Sequence, residues 1–582
     1  MFGPFNAYAR RYRFRILLGI LAITVGSGAA NYIPVLVGET VDQLGRDDLT
    51  DELLLNSVFS QVLAIVSFAL LVAISGYSMR RLLGTASTRI EYDIRVSYFA
   101  HLLRLPLSYY QTQRTGDLMA RATNDLNAVR IFFTYGVRGI AETTLNIAYS
   151  LTFMCMLNWK LALIVLVPLP LFSLFIIRMA ALVHTRFKAI QENFGQMSNF
   201  IQENLAGTRV VKAYVQGPQQ NADFDRLNHQ YLDKNQQLIV TRAVYRPLTY
   251  LVASIGLGLN LWFGGKAVID GQFTIGSFVA FNVYLTLLIR PVAYMGWVID
   301  RFQRALVSMR RINEILDVQP DIEDKAPAAP ADDAINGTIE LRNLTFSYGQ
   351  DPVLRDISLK IPAGATVGIM GRVGAGKTTL GRLIPRLIEA APGQLLIDGK
   401  PIEDWPLDQL RTAIGYVSQM PFLFSNSLSA NIAYGIDGDS PEAIKTAAEQ
   451  AQIRADIEDF DQGFDTLIGE RGVTLSGGQK QRTTLARALI RQPRILILDD
   501  ALSAVDTHTE EAILGHLRQI MAGRTTLIIA HRVSTLRDAD HIIVLDEGGI
   551  AEQGRHQDLV KAGGYYAELC TRQQLAAELE SL

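Results

Sequence analysis

The sequence predicts an all-α six-helix transmembrane domain followed by an α/β domain of the P-loop type. Three observations lead to this prediction. The first half of the 582-residue chain holds six long apolar stretches. The second half alternates short β-rich runs, such as residues 366–370, 494–498 and 525–529, with helical segments, and residues 371–378 match a phosphate-binding loop at every fixed position. We place the transmembrane domain at residues 1–318, a linker at 319–336 and the α/β domain at 337–582.

The apolar stretches have the length and composition of membrane spans. Hydrophobic residues make up 49% of the chain and charged residues only 19%, and a helix of about 20 apolar residues crosses a hydrocarbon core. The six stretches are residues 16–37, 58–79, 143–159, 161–177, 247–265 and 275–289.

The arginines predict which side of the membrane the termini occupy. Six spans place both termini on one side, and arginines are dense before the first span and in the connection after the second, which makes that side cytoplasmic. The opposite connections, which include residues 158–160 and 270–274, are short or acidic. We expect no cleaved signal peptide, because the first apolar stretch is too long and lacks a small-residue cleavage site.

Two compositional features exclude other classes of function. Cys155 and Cys570 lie in different halves of the chain, so neither a structural disulfide nor a cysteine metal site is expected. The net charge of -2 says little about partners, because the arginines are concentrated on one side of the membrane. Nothing in the sequence suggests nucleic-acid binding, and no nucleic-acid partner is expected.

The loop at residues 371–378 is expected to bind the phosphates of ATP together with Mg²⁺. Its glycines let successive backbone N–H groups point at the phosphates, Lys377 supplies positive charge, and Thr378 offers a hydroxyl to Mg²⁺. The loop follows a β-rich run at 366–370 and opens a helix expected to begin near Thr379. The expected nucleotide-binding residues of this loop are Gly371, Gly374, Gly376, Lys377, Thr378 and Thr379.

A second element of the expected site, a strand that ends in two acidic residues, lies downstream. Residues 494–500 form an apolar, β-branched run that ends in Asp499 and Asp500. A buried parallel strand that delivers a carboxylate to a nucleotide-bound Mg²⁺ has this pattern. We therefore expect Asp499 to be a Mg²⁺ ligand.

Between the loop and the acidic strand lies Leu-Ser-Gly-Gly-Gln at residues 475–479, immediately before a helix-forming run. With this motif the chain resembles the ATP-binding-cassette (ABC) family over essentially its whole length, and in particular bacterial multidrug-type half-exporters. A helix N-terminus preceded by serine and glycines is an anion site. In the family it closes over ATP held by the opposite domain, so one copy per chain implies a dimer. The expected contacts are Ser476, Gly477, Gly478 and Gln479.

The resemblance implies further roles. Tyr348 is expected to stack on adenine, Gln419 to sense Mg²⁺ and the γ-phosphate as a third metal contact, and His531 to contact the γ-phosphate. Residues 470–472 resemble a cross-linking element of exporters, and residues 503–506 resemble a segment that communicates across the dimer. The implied location is the bacterial inner (plasma) membrane, as a multi-pass protein with a cytoplasmic nucleotide-binding domain.

Asp500 departs from the hydrolytic pattern of the family, which has Glu at this catalytic position. Asp is shorter by one C–C bond, about 1.5 Å, and the attacking water must lie within hydrogen-bond reach of the base. In the family, Asp here with an intact Leu-Ser-Gly-Gly-Gln is typical of the degenerate-site subunit of heterodimeric exporters. The resemblance therefore implies a partner, a second and different half-transporter with a catalytic Glu.

The membrane half adds three expectations. The long connections at residues 79–139 and 178–246 are too long for loops and too polar to be buried, and we expect them to extend the membrane helices into the cytoplasm. Residues 114–125 and 203–214 are similar to the intracellular connections of half-exporters, which implies short coupling helices near 107–112 and 214–221. Polar and aromatic residues within the spans, such as Asn31, Tyr284 and Arg290, either face a translocation path or serve helix packing. The mixture suits amphipathic drugs, lipids or peptides about equally as substrates.

Three other functions remain compatible with the sequence. The first is a homodimeric exporter in which Asp500 acts as a slow base. The second is an importer built on the exporter fold, and the third is an ATP-gated channel or regulator without transport.

Overall fold

The computed structural model describes residues 6–45, 51–324, 334–349, 351–436, 438, 440–469, 475–501, 515–516 and 518–581. The chain divides into two compact units. The first comprises Met1–Leu103 and Arg114–Val318, and the second comprises Arg104–Gln113 and Gln319–Leu582.

The first unit is helical. Among the described residues, six of its helices are at least 30 residues long: Arg13–Leu44, Asp51–Leu102, Val137–Leu166, Pro168–Ala206, Gly217–Leu259 and Ile275–Leu316. Its shorter helical pieces are Asn6–Arg11, Thr115–Ala120, Leu126–Ile131, Thr208–Ala213 and Gly265–Ile269, with π-helical turns at Arg121–Asp125, Phe132–Gly136 and Asn260–Gly264. The predicted apolar stretches lie in the long helices, except that the stretch 247–265 continues through the π-helical turn Asn260–Gly264 to Gly265. The predicted helical transmembrane domain is confirmed.

Several long helices extend well beyond the apolar stretches. The helix Asp51–Leu102 has 52 residues, which at about 1.5 Å per residue gives roughly 78 Å, against a hydrocarbon core of about 30 Å. Within the residues searched, three helices have the length and composition to cross a membrane, namely Arg13–Leu44, Glu52–Leu102 and Thr115–Leu166, and Ile275–Leu288 is a shorter apolar helix. The long polar connections are therefore continuations of the spans, as predicted.

A break at Asn158 separates the third and fourth apolar stretches. Asn158 has φ -162° and ψ 101°, which is not helical. Its side-chain Oδ1 accepts a hydrogen bond from the N–H of Leu161 at 3.0 Å, as a capping residue does at a helix N-terminus. The helix that starts here passes through Val167, itself helical, into Pro168–Ala206. The short connection predicted at residues 158–160 thus corresponds to a capped turn.

Polar side chains within the first unit pair with one another. Asn31, which is 2% exposed, donates to Oδ1 of Asn146 at 3.1 Å and accepts from the hydroxyl of Ser150 at 2.7 Å. The hydroxyl of Tyr284 donates to the carbonyl of Asn31 at 2.6 Å. Of the two interpretations, helix packing therefore fits Asn31 and Tyr284, while the side chain of Arg290 lies outside the described residues.

The second unit contains ten described strands in two sheets. In chain order they are β1 Ile339–Ser347, β2 Pro352–Ile361, β3 Thr366–Gly371, β4 Leu395–Ile397, β5 Lys400–Pro401, β6 Ile414–Val417, β7 Ile495–Asp499, β8 Thr525–Ile529, β9 His541–Asp546 and β10 Gly549–Gly554. The smaller sheet is antiparallel, with order β2-β1-β4-β5. The larger has order β10-β9-β3-β8-β7-β6, in which β10 alone of these six strands is antiparallel to its neighbour.

The larger sheet is the predicted parallel sheet. Strand β8 coincides with the predicted run 525–529, and β3 and β7 each end one residue later than predicted. Every residue of β7 and β8 is buried, because both strands lie inside the sheet with apolar clusters on either face. The predicted α/β domain is confirmed.

The second unit also contains short helices. They are Leu107–Thr112, Lys377–Leu383, Leu407–Ala413, Leu428–Ala433, Pro441–Gln450, Arg454–Glu458, Gly477–Leu489, Val533–Leu536, His556–Ala562 and Tyr565–Ser581, with 3₁₀ turns at Ile402–Asp404 and Gly463–Asp465.

The two predicted coupling helices have different outcomes. The first is found as Leu107–Thr112. The expectation of a short helix near 214–221 is wrong, because Thr208–Ala213 ends before that segment and the long helix starts at Gly217. The physical reasons are the left-handed backbone of Val215, with φ 54°, and a proline in the first turn of the new helix, where its missing N–H costs nothing.

Candidate nucleotide-binding site

The candidate site lies along one edge of the larger sheet. The phosphate loop follows β3, His531 follows β8, Asp499 ends β7 and Gln419 follows β6. These four strands are parallel neighbours in the order β3-β8-β7-β6. Their carboxyl ends meet at the same edge, where ligands bind in open α/β sheets. The topology thus brings together groups that are distant in sequence.

The backbone of the phosphate loop requires glycine at two positions. Gly371 has φ 149°, and a Cβ there would lie 2.1 Å from the carbonyl oxygen of Leu545. Gly376 has φ 91°, and its Cβ would lie 2.6 Å from Cδ2 of Leu354. The helix after the loop begins at Lys377, two residues before the predicted start near Thr379.

Lys377 is held against the loop itself. Its Nζ donates to the carbonyl oxygens of Gly371 and Arg372, both at 2.8 Å, and the residue is only 7% exposed. Burial lowers the pKa of Lys377, and the carboxylates of Asp500 and Asp499 partly oppose that shift. Because a nearby anion favours the charged amine, this site is suited to a phosphate.

Asp499 is the most buried acid of the site. It is 1% exposed, accepts from the hydroxyl of Thr378 at 3.1 Å, and accepts from the hydroxyl of Tyr416 at 3.3 Å. Burial raises the pKa of Asp499, and both hydrogen bonds counteract the rise. Burial and the neighbouring Asp499 raise the pKa of Tyr416 to about 12.

The pairing of Tyr416 with Asp499 was not predicted from the sequence. Tyr416 stands three residues before Gln419, but its position on β6 next to β7 emerges only when the sheet forms.

The oxygens of Thr378 and Asp499 could hold a cation only together with a nucleotide. Among the described residues, no group of three or more His, Cys, Asp or Glu side chains could hold a metal ion. Mg²⁺ that binds with a nucleotide takes one or two protein oxygens, and phosphates and waters complete its shell. The donor set fits that arrangement.

Asp500 has an unusual backbone. Its φ is 51°, in the left-handed region that aspartate tolerates better than most residues. Its N–H donates to the carbonyl of Ile529 at 2.8 Å, and its Oδ2 accepts from the side-chain amide of Gln419 at 3.3 Å. The structure thus brings together two of the predicted site residues, one after β7 and one after β6.

The Leu-Ser-Gly-Gly-Gln motif opens the helix Gly477–Leu489 with a complete capping box. The N–H of Gln479 donates to the hydroxyl of Ser476 at 3.2 Å, and the N–H of Ser476 donates to Oε1 of Gln479 at 3.0 Å. Asp456 accepts from Gln479 at 3.1 Å and from Arg482 at 2.8 Å. Ser476 and Gly477 are exposed. The helix N-terminus is therefore rigid and open to a ligand.

The remaining predicted contacts lie at the rim. Tyr348 is 47% exposed, its hydroxyl lies 3.4 Å from that of Thr379, and its ring packs edge-to-face on Phe346. His531 is exposed, and its carbonyl accepts from Gln573 at 2.9 Å. Sequence reasoning gave no role to Gln573. The segments predicted at 470–472 and 503–506 lie outside the described residues.

Comparison with known proteins agrees with this architecture. Residues 16–292 match the family described as ABC transporter transmembrane region, and residues 354–503 match the family described as ABC transporter. A solved structure described as a bacterial Atm1-family ABC exporter with ATP bound has 29% sequence identity and a TM-score of 0.78, covering 98% of this chain and 99% of that chain.

Curated relatives match over nearly their full length. The probable multidrug resistance ABC transporter ATP-binding/permease protein YheI of Bacillus subtilis (strain 168) is 37% identical, covering 98% of this chain and 96% of the relative. The multidrug resistance-like ATP-binding protein MdlA of Escherichia coli (strain K12) is 34% identical, covering 100% and 98%. The ATP-dependent lipid A-core flippase of Desulfotalea psychrophila (strain LSv54 / DSM 12343) is 35% identical, covering 97% of each. The chain therefore belongs to the ABC transporter family, as an ATP-driven half-transporter of the exporter type that carries one transmembrane domain and one ATP-binding domain.

Proposed function

We propose that this chain is the degenerate-site subunit of a heterodimeric exporter. It binds Mg-ATP without hydrolysing it efficiently. It lends its signature motif, Leu-Ser-Gly-Gly-Gln at residues 475–479, to the hydrolytic site of a second, different half-transporter that carries a catalytic Glu. The observation behind this proposal is Asp500 at the Glu position. A carboxylate about 1.5 Å short is poorly placed to hold an attacking water, and this one already accepts a hydrogen bond from Gln419.

Binding of ATP is assigned to the residues of the site that, unlike Asp500, match the pattern of the family. Lys377 meets the β- and γ-phosphates, Tyr348 stacks on adenine, and His531 and Gln419 contact the γ-phosphate region. Mg²⁺ is assigned to Thr378 and Asp499, with Gln419 beside them. The oxygens of Thr378 and Asp499 lie 3.1 Å apart, close to the roughly 3.0 Å between neighbouring ligands in an octahedron with bonds of about 2.1 Å.

The role in trans is assigned to the helix that starts at Ser476. Its free N–H groups and helix dipole favour an anion. The capping box and the bonds from Gln479 and Arg482 to Asp456 hold this terminus in place, so little ordering is needed when a partner's γ-phosphate approaches. This chain therefore combines an intact Leu-Ser-Gly-Gly-Gln motif with Asp in place of the catalytic Glu. In the proposed heterodimer, the motif completes the partner's hydrolytic site while this chain's own site is impaired.

The proposed cargo is amphipathic, a drug-like molecule, a lipid or a peptide. Relatives named for multidrug resistance and for lipid A-core flipping support the first two classes. The proposed location is the bacterial inner membrane, with the arginine-rich connections and the ATP-binding domain in the cytoplasm.

The test is isolation of the complex at native expression. We expect the chain to co-purify in equal amount with a second half-transporter whose catalytic carboxylate is Glu and whose signature departs from Leu-Ser-Gly-Gly-Gln. After turnover and rapid washing, intact ATP should remain bound to this chain. A stable, active homodimer, or recovery of ADP alone from this chain, would overturn the proposal.

A further inference from the structure

The C-terminal helix Tyr565–Ser581 contacts the loop that carries His531. Both the nitrogen and the oxygen of the Gln573 side-chain amide form hydrogen bonds there. Its Nε2 donates to the carbonyl of His531 at 2.9 Å, and its Oε1 accepts from the N–H of Val533 at 2.8 Å. One side chain therefore spans the backbone on both sides of Arg532.

This pair of bonds sets the local backbone. The helix Val533–Leu536 begins directly after Arg532, which has φ -98° and ψ 132° and provides no side-chain cap of its own. The amide of Gln573 supplies the missing acceptor for the first N–H of that helix. The His531 side chain is exposed, so packing in the core does not fix its position. The position of its backbone therefore determines where the imidazole lies.

Gln573 itself is carried by a well-anchored part of the helix. Tyr566 is 0% exposed and Cys570 is 8% exposed, and both belong to the apolar cluster that includes Val533. The carboxylate of Glu552 accepts from the N–H of Tyr565 at 2.6 Å. Gln573 lies three residues beyond Cys570, less than one turn away.

The start of the same helix faces the phosphate loop. The guanidinium of Arg372, the residue after Gly371, lies 5.5 Å from the ring centroid of Tyr565, within cation–π range. The helix therefore contacts both the phosphate loop and the loop that carries His531. Both loops are assigned to the γ-phosphate of ATP.

We infer that Gln573 is the positioning residue for His531, and that through it the C-terminal helix sets how strongly this chain's site prefers ATP to ADP. The inference rests on the proposed role of His531 at the γ-phosphate. It needs no hydrolysis at this site, because the γ-phosphate is the group that distinguishes the two nucleotides whether or not it is cleaved.

The experiment uses the full-length chain in the complex in which it is purified. A photoreactive ATP analogue labels each chain, the chains are separated, and competition by ATP or by ADP gives both affinities for this chain alone. The variants are Gln573→Ala, Gln573→Glu, His531→Ala and the double variant of Gln573→Ala with His531→Ala. Gln574→Ala is the matched control, because Gln574 is the exposed neighbour on the same helix.

We expect His531→Ala to reduce the preference for ATP over ADP by about 10-fold to 100-fold, the range for a hydrogen bond to a charged group. Gln573→Ala should reduce it by about 3-fold to 10-fold, with the affinity for ADP unchanged, and should add little to His531→Ala. Gln573→Glu keeps the acceptor for the N–H of Val533, so its preference for ATP over ADP should lie between those of Gln573→Ala and the unmodified chain. Gln574→Ala should have no effect.

The two hypotheses fail in different ways. If His531→Ala leaves the preference unchanged, the assigned role of His531 is wrong. If His531→Ala reduces it while Gln573→Ala does not, or while the losses multiply in the double variant, Gln573 does not position His531. A parallel loss of ATP and ADP affinity in Gln573→Ala would show a purely structural role and also overturn the inference.

Discussion

The side-chain amide of Gln419 donates a hydrogen bond to the carboxylate of Asp500 across 3.3 Å. The bond joins the loop after β6 to the end of β7, so Asp500 helps to orient Gln419 even if it activates no water. A neutral amide at position 500 can still accept this bond through its oxygen. Replacement of Asp500 by Asn therefore separates the orienting role from that of a base.

In the assembled complex, Asp500→Asn should retain much of the ATPase rate, because the proposed heterodimer hydrolyses ATP at the other site. Ser476→Arg should be nearly inactive, since its bulk would fill the helix terminus that is proposed to meet the partner's γ-phosphate. If Asp500 were the working base, its replacement would instead remove roughly 10² to 10⁴-fold. Steady-state ATPase rates of the two variants decide the ranking.

Gly478→Asp is a second signature variant that checks this result, because it adds negative charge at the same terminus without arginine. Folding is monitored by the melting temperature of each complex. Equal losses in the Asp500 and signature variants, or a larger loss in Asp500→Asn, would show that this chain hydrolyses its own ATP.

Binding of Mg-ATP should weaken at mildly acidic pH. Burial raises the pKa of Asp499, so this carboxyl takes up its proton at a higher pH than an exposed aspartate, which titrates near about 3.9. A metal ligand must be deprotonated, and affinity should fall as the pH is lowered through the raised pKa. Tyr416→Phe removes one of the two bonds that lower this pKa and should move the loss to higher pH.

The measurement is the affinity for Mg-ATP between about pH 5 and pH 8, with ATP in the presence of EDTA as the control. The variant should shift the Mg²⁺-dependent profile and leave the EDTA profile in place. Coincident profiles for Tyr416→Phe and the unmodified chain would contradict the assignment of Asp499.

Two glycines of the phosphate loop should differ in tolerance. Gly376→Ala adds a Cβ 2.6 Å from Leu354 and 2.9 Å from the carbonyl of Val353, at φ 91°. Gly374→Ala has a similar φ of 88° but no heavy atom within 4 Å. Each variant should lose about 1–2 kcal/mol of the free energy of unfolding, because alanine is strained at such a φ. Gly376→Ala should lose a further 1–3 kcal/mol or so for overpacking, and it should also lose ATP binding. Thermal unfolding and ATP titration compare them, and equal losses would refute the steric argument.

In the membrane unit, Tyr284→Phe should destabilise the chain without affecting ATP binding. The change removes the bond from its hydroxyl to the carbonyl of Asn31, which is worth roughly 0.5–2 kcal/mol between membrane helices. Tyr92→Phe is the control, because Tyr92 is 64% exposed. The unfolding midpoint in detergent should fall only for Tyr284→Phe. An unchanged midpoint with altered transport would favour a place for Tyr284 in the translocation path.

The elements that the sequence predicts well are those with a local cause. Apolar length predicts the spans, and the β-branched runs predict β3, β7 and β8 to within a residue. Glycine and lysine spacing predicts the phosphate loop, because the loop is built from consecutive residues.

The contacts that escaped prediction join distant parts of the chain. Tyr416 and Asp499 are 83 residues apart, and Gln573 and His531 are 42 apart, and each pair meets only after the sheet and the C-terminal helix are in place. The misplaced second coupling helix has another origin, because Gly217 and Pro218 start a long helix where the family resemblance implied a short one.

The break at Asn158 bears on how the chain enters a bilayer. Two apolar segments joined by a capped turn can insert together as a helical hairpin, because within residues 158–160 the one charged side chain that has to cross is Lys160. The third and fourth spans are therefore expected to partition as one unit during synthesis. A substitution that adds charge to this turn should then act on biogenesis, and reduce the amount of inserted protein while the molecules that do insert keep their nucleotide affinity.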